Sequence, residues 1–288
     1  MLRLLVLMLA ALLAAAEPLP GDAALARRVE AVLAPFHAAK RPPAPNDWLA
    51  QHREEGQTLA AYMAKRPRPS AERRTTIYLR QLGAVEGDQP ALLDAAQAAL
   101  AAYFPVQIRR SPPHPLAVVP ERARREGGQG GQLLSTWLLE VLAAERPADA
   151  HAVLGLTASD LWPGDGWNFV FGQASLVERV GVWSTARFGP AGEPRRLRRT
   201  VQTAVHETGH QFGMQHCIRW ECLMNGSNHL AESDAAPLWL CHECEAKITW
   251  SLGGDPRQRL LRLAAFAKIS GFADAEAMWQ REAAAFAP

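Results

Sequence analysis

Residues 206–216 read HETGHQFGMQH. His206 and His210 are four apart, so on a helix both imidazoles project from one face, one turn above the other. Two ring nitrogens so placed can meet one Zn²⁺ at about 2.0–2.1 Å each. Glu207 lies roughly 100° round the helix from His206, able to reach a water on the metal without entering the coordination shell. Gly213 can adopt φ > 0, stop the helix and turn the chain back, so that His216 approaches the same metal from another direction. Three neutral histidines leave one position for water, the mark of a catalytic rather than a structural zinc. The bland alternative is ordinary surface histidines. A glycine and a third histidine at fixed offsets behind His-Glu-x-x-His make chance a poor explanation.

All four cysteines follow at once: Cys217 and Cys222 as Cys-x₄-Cys, then Cys241 and Cys244 as Cys-x₂-Cys. Four thiolates at such spacings fit a closed, structural zinc site. Two disulfides are the competing reading, which an oxidising compartment would permit. His242, inside the second pair, reads as a turn residue, with a substitute ligand as the alternative. His229 reads equally as a solvated loop histidine or a substrate-side group. Met224 taken alone would be a core methionine, but it stands just behind the three-histidine motif.

These residues need a scaffold. Leu197, Val201, Ala204, Val205 and Phe212 keep helical spacing, so the motif rides on a helix with one buried face. Upstream, strands are expected around Ile77–Leu79, Val106–Ile108, Ala152–Leu156, Asn168–Gln173 and Val180–Trp183. Helices are expected at 91–103 and from the Gly127–Gly131 loop through Leu133, Trp137, Leu138 and Val141. That loop lacks the spacing of a dinucleotide fingerprint. The alternation argues for a sheet with helices packed on it, an α/β or α+β domain. Before it, residues 22–40 and Trp48–Met63 read as helices without a chemical constellation, hence an accessory element. Two more helical patterns close the chain around Leu260–Phe266 and Ala273–Phe286.

The expected organisation is a signal peptide at 1–16, a helical accessory region at 17–75, the metal-binding domain at 76–252 and a helical extension at 253–288. The leader is read from Arg3, the apolar run Leu4–Ala16 and the break at Glu17, Pro18 and Pro20. An uncleaved anchor or a buried helix is its alternative. The chain is therefore expected to be exported, without stable membrane insertion once the leader is removed. A formal net charge of +2 gives no case for a nucleic-acid partner. The cluster Arg195, Arg196, Arg198 and Arg199 reads as a solvated helix face.

HETGHQFGMQH with Met224 behind it resembles the metzincins, zinc peptidases whose metal site rests on a methionine-containing turn. With its cysteines, the run HETGHQFGMQHCIRWECLMNGSNHLAESDAAPLWLCHEC is similar to the archaemetzincin family, animal-type branch, as are PNDWLAQH, IYLRQLG, LGLTASDLW and NFVFGQA. The resemblance spans roughly residues 45–250. It implies an α+β, metzincin-like fold: a mixed twisted sheet above an active-site helix, with a small cysteine-rich lower subdomain. It also implies two zinc ions per chain. His206, His210 and His216 would hold the catalytic one above Met224, with Glu207 as base, and the cysteines the structural one. Asn168–Gln173 would be the edge strand on which a peptide or protein substrate lies. Short peptides cleaved from the amino end are the substrate class suggested for the family, and a monomer is expected. The leader is a departure, because the family is mostly intracellular. A catalytically silent, exported zinc-binding or scaffold protein is the rival reading, against which Glu207 speaks.

Overall fold

The computed structural model describes residues 21–65, 76–84, 87–127 and 130–286; the expected leader lies outside them. Strand β1 (Thr76–Leu82) pairs in parallel with β2 (Gln107–Arg110) on one side and β5 (Ala150–Thr157) on the other. β5 pairs in parallel with β8 (Val180–Ser184), and β7 (Gly172–Ser175) runs antiparallel along the outside of β8. The mixed sheet thus has the order β2-β1-β5-β8-β7. A smaller sheet, β3 (Arg124–Arg125), β4 (Gln132–Leu134) and β6 (Asp160–Trp162), stands beside it.

β5 is buried along its whole length, as a strand covered on both faces must be. Its Ala152, Leu154 and Leu156 join the larger core, which also takes residues of the helices at Gln89–Tyr103 (α4) and Pro194–Gln211 (α6). Val153 points into the smaller core with Leu138, Leu139 and Leu142 of α5 (Ser135–Ala144). Helix α6 therefore lies on one sheet face, with Val201, Ala204 and Val205 inward.

Several expectations shift. The edge strand begins at Gly172, four residues later than Asn168, and the residues before it form a loop. Leu133 belongs to β4 rather than to the following helix. The helix expected over Trp48–Met63 is two short ones, α2 (Trp48–Gln51) and α3 (Leu59–Lys65). Gly56 breaks it with φ +69°, where an added Cβ would come 2.7 Å from Ile218 Cγ1. The first helix, α1 (Ala23–Leu33), gives way to a 3₁₀ turn at Ala34–Phe36, where Pro35 stands. The solvated arginine face also needs correction. Arg195 is exposed, but Arg196 and Arg199 are buried, bonded respectively to Asp88 and Asp234 and to backbone carbonyls.

After α6 come a loop, α7 (Leu230–Ala235) and α8 (His242–Leu252), and then α9 (Pro256–Ser270) and α10 (Ala273–Ala284), packed against each other. Among the described residues, no helix is long and apolar enough to cross a membrane.

Candidate metal centre

Helix α6 stops where glycine was expected to stop it. Gly213 takes φ +79°, its N–H bonds to His210 O at 2.8 Å, and Met214 N–H reaches back to Gly209 O at 3.2 Å. This paired closure ends the helix and reverses the chain. His216 is thereby brought against the helical pair. The ring centroids of His206, His210 and His216 form a nearly regular triangle with sides of 4.7, 5.2 and 5.1 Å.

Each ring has its Nδ1 engaged. His206 Nδ1 lies 3.0 Å from Leu223 O, His210 Nδ1 2.7 Å from Met214 O, and His216 Nδ1 2.8 Å from Glu54 Oε1. A carbonyl or carboxylate oxygen only accepts, so the neutral ring keeps its proton on Nδ1 and its lone pair on Nε2. His206 Nε2 and His210 Nε2 face each other at 3.1 Å. With no proton to share, two such lone pairs call for a cation between them. Nitrogens held at 2.0–2.1 Å by a tetrahedral zinc are themselves about 3.3 Å apart. The donor set fits zinc. Burial first, then the neighbouring histidines, holds His206 well below the usual 6.5; burial and His216 bring His210 to about 4. Both rings are neutral at pH 7, as ligands must be.

Glu207 is buried on the inner side of the same helix, and burial pushes its carboxyl up to about 8. It rests against the edge strand: a Cβ added at Gly172 would lie 2.5 Å from Glu207 Oε1. Met224 is fully buried beneath the helix, its sulfur 2.5 Å from where a Cβ at Gly209 would stand. The glycine in HETGH is therefore the seat of the methionine. Burial tends to raise Glu54, but hydrogen bonds, first that from His216, hold its carboxyl below the ordinary carboxylate range.

The three histidines and Glu207 open on a cleft of about 1250 Å³. One wall carries Phe171, Gly172 and Gln173, and the other Asn225, Asn228 and His229. The walls meet through stacked rings, with Trp48 3.9 Å from His52 and His52 5.4 Å from Trp167. His229 has both nitrogens occupied, Nδ1 accepting from Glu232 N–H and Nε2 bonded to Asp47 Oδ1. It fastens the N-terminal region to the lower wall.

The four cysteines are free, buried and gathered into one cluster, with all four sulfurs within 4.8 Å of one another. Cys217 Sγ and Cys241 Sγ are 3.7 Å apart, and sulfurs about 2.3 Å from a tetrahedral zinc are separated by about 3.8 Å. Bonds from the other three thiols push Cys217 strongly down, while burial pushes Cys222 and Cys241 up. Backbone N–H groups of Met224 and Cys241 point at Cys222 Sγ. His242 stands outside the cluster, its ring against Trp220.

Sequence reasoning missed Glu54, Gln57, Trp48, Gly172 and Asn225. Asn225 is the one with a local signal. It lies within the cysteine loop, and its amide ties Cys222 N–H to the carbonyls of Cys217 and Trp220.

The model of peptidase family M54 matches residues 149–250. Archaemetzincin-2 of Macaca fascicularis is 32% identical over 248 residues, covering 73% of this chain and 68% of that protein. An archaemetzincin of Thermococcus kodakarensis is 39% identical over 129 residues, covering 43% and 67%. The crystal structure of archaemetzincin from Methanopyrus kandleri matches with a TM-score of 0.53 at 29% identity, over 63% of this chain and 97% of that one. Sharing about a third of its residues with archaemetzincin-2 over most of its length, and matching the fold of the Methanopyrus kandleri protein, the chain belongs to the archaemetzincins, zinc-dependent metallopeptidases of family M54 with a metzincin-like fold.

Proposed function

We propose that the chain hydrolyses peptide bonds at this centre, with Nε2 of His206, His210 and His216 holding zinc and Glu207 as the general base. One observation carries the reading: three rings in a triangle, each engaged at Nδ1, beside a buried carboxyl. Zinc, when bound, supplies a Lewis acid that polarises a carbonyl and acidifies a water. Glu207 takes the proton of the attacking water on a carboxylate oxygen and returns it to the leaving amine. β7 ends the sheet order, and an extended substrate pairs with its free edge through main-chain hydrogen bonds.

The reading includes a preference for short peptides and, following the family resemblance, for their amino ends. The stacked Trp48, His52 and Trp167, where the cleft walls meet, support a limit on substrate length. A second zinc on Cys217, Cys222, Cys241 and Cys244 ties the loop after α6 to α8. The closeness of the sulfurs supports it. Residues 1–16 export the chain, which then acts as a monomer on peptides.

Glu207→Gln is expected to keep its zinc while turnover falls by about 100- to 10,000-fold. A peptide library read by mass spectrometry, with metal analysis alongside, measures both and also reports distance from the terminus. Undiminished cleavage by the variant would overturn the assignment.

A further inference from the structure

Glu54 lies before residues 149–250, which the family M54 model matches, in the helical region read from sequence as an accessory element. His206 and His210 are held by a helix and bond to backbone carbonyls close by in the chain. His216 sits on a loop, and its Nδ1 partner comes from 162 residues away.

That partner is itself fixed. The side-chain amide of Gln57 spans the His216 loop, donating to Gly213 O at 3.1 Å and accepting from Gln215 N–H at 3.3 Å. Gly56 packs on Ile218, in the same loop. Downstream, Leu59 N–H bonds to Glu243, Lys247 donates to Gln57 O, and the Tyr62 hydroxyl donates to Phe212 O. Upstream, the Glu232 carboxylate accepts Trp48 N–H. Residues 48–62 form a strap pinned at both ends, with Glu54 between the pins.

A ring donating Nδ1–H to a carboxylate has its tautomer and orientation set and its Nε2 made more basic. We propose that Glu54 is a positioning residue for the metal, fixing His216 in the one tautomer and orientation that presents Nε2 to the helical pair. The N-terminal strap is then part of the metal centre. The inference rests on reading His216 as a ligand.

The test uses the full chain and Glu54→Met, which keeps bulk and removes the acceptor. Zinc affinity of the histidine site is measured by chelator competition, and coordination by the cobalt(II) absorption spectrum. Affinity is expected to fall about 10- to 100-fold, with an altered cobalt spectrum and with the cysteine-bound metal retained. Glu54→Gln, which restores an acceptor, is expected to recover part of the loss. Unchanged affinity and spectrum in Glu54→Met, while His216→Ala loses both, would sink this inference alone. Intact affinity in His216→Ala would sink the ligand reading and this inference with it. Should Glu54→Met not fold, nitrogen-15 NMR of the metal-free wild type decides. An Nδ1–H tautomer at His216 supports the proposal, and an Nε2–H tautomer overturns it.

Discussion

Gly172 sets how close the edge strand stands to the proposed base. A methyl there would meet Glu207 Oε1 at 2.5 Å and Cδ at 2.9 Å, so the carboxylate or the strand must move. Because a displacement of about 1 Å can cost 10²-fold in rate, Gly172→Ala is expected to lower kcat by about that factor. Its zinc content should be unchanged, because the nearest atoms to the added methyl all belong to Glu207. Steady-state kinetics beside metal analysis checks this, and an unaffected kcat would mean that Glu207 has room to spare. Gly209 works the same way on the helix itself, its missing Cβ leaving space for the Met224 sulfur. These glycines are steric, and nothing in the residue type alone says which neighbour needs the space.

Helix α6 shows why four arginines in five positions are not one feature. Arg196 and Arg199 turn inward, and Arg199 bonds through two nitrogens to Asp234 and through a third to Phe188 O. Arg195 stays outside. Breaking a buried ion pair costs about 3 kcal/mol or more, whereas an exposed one contributes less than about 1 kcal/mol. Arg199→Met is therefore expected to destabilise by about 3 kcal/mol in urea unfolding and Arg195→Ala by under 1. Equal effects would contradict the inward turn. The strap over 48–62 carries a related lesson: its apolar spacing suggested one helix, and Gly56 with the fastening at Gln57 made two short helices and a bridge.

At the scale of the molecule, the buried titrating groups set how the metal-free protein responds to pH. His210 takes its proton near 6.5 when unfolded and near 4 when folded, and burial depresses His206 in the same direction. Between those values the unfolded chain binds more protons, so stability contributed by the neutral rings is present above about 6.5 and lost as pH falls. Glu207 acts in the opposite sense. It is near 4.5 unfolded and about 8 folded, so its contribution is lost as pH rises through that window. Urea unfolding of the metal-free protein between pH 6.5 and 4 isolates the His210 contribution when wild type is compared with a variant lacking the ring. His210→Gln should flatten the acid side, and an unaltered acid slope would refute the assignment.

The sequence by itself determined the three histidines of the proposed centre, their order, the turn at Gly213 and the cysteine pairs, because four-residue spacing on a helix and a glycine at its end are local geometry. The strands at Ile77–Leu79, Ala152–Leu156 and Val180–Trp183 were legible for the same reason. Tertiary structure alone decided that Glu54 meets His216, that Gly172 faces Glu207, and that the edge strand begins at Gly172. Each depends on chain segments brought together by packing. A glutamate before Gly56 carries no local mark of its partner, since a hydrogen bond across 162 residues exists only once the strap and the loop share one wall of the cleft.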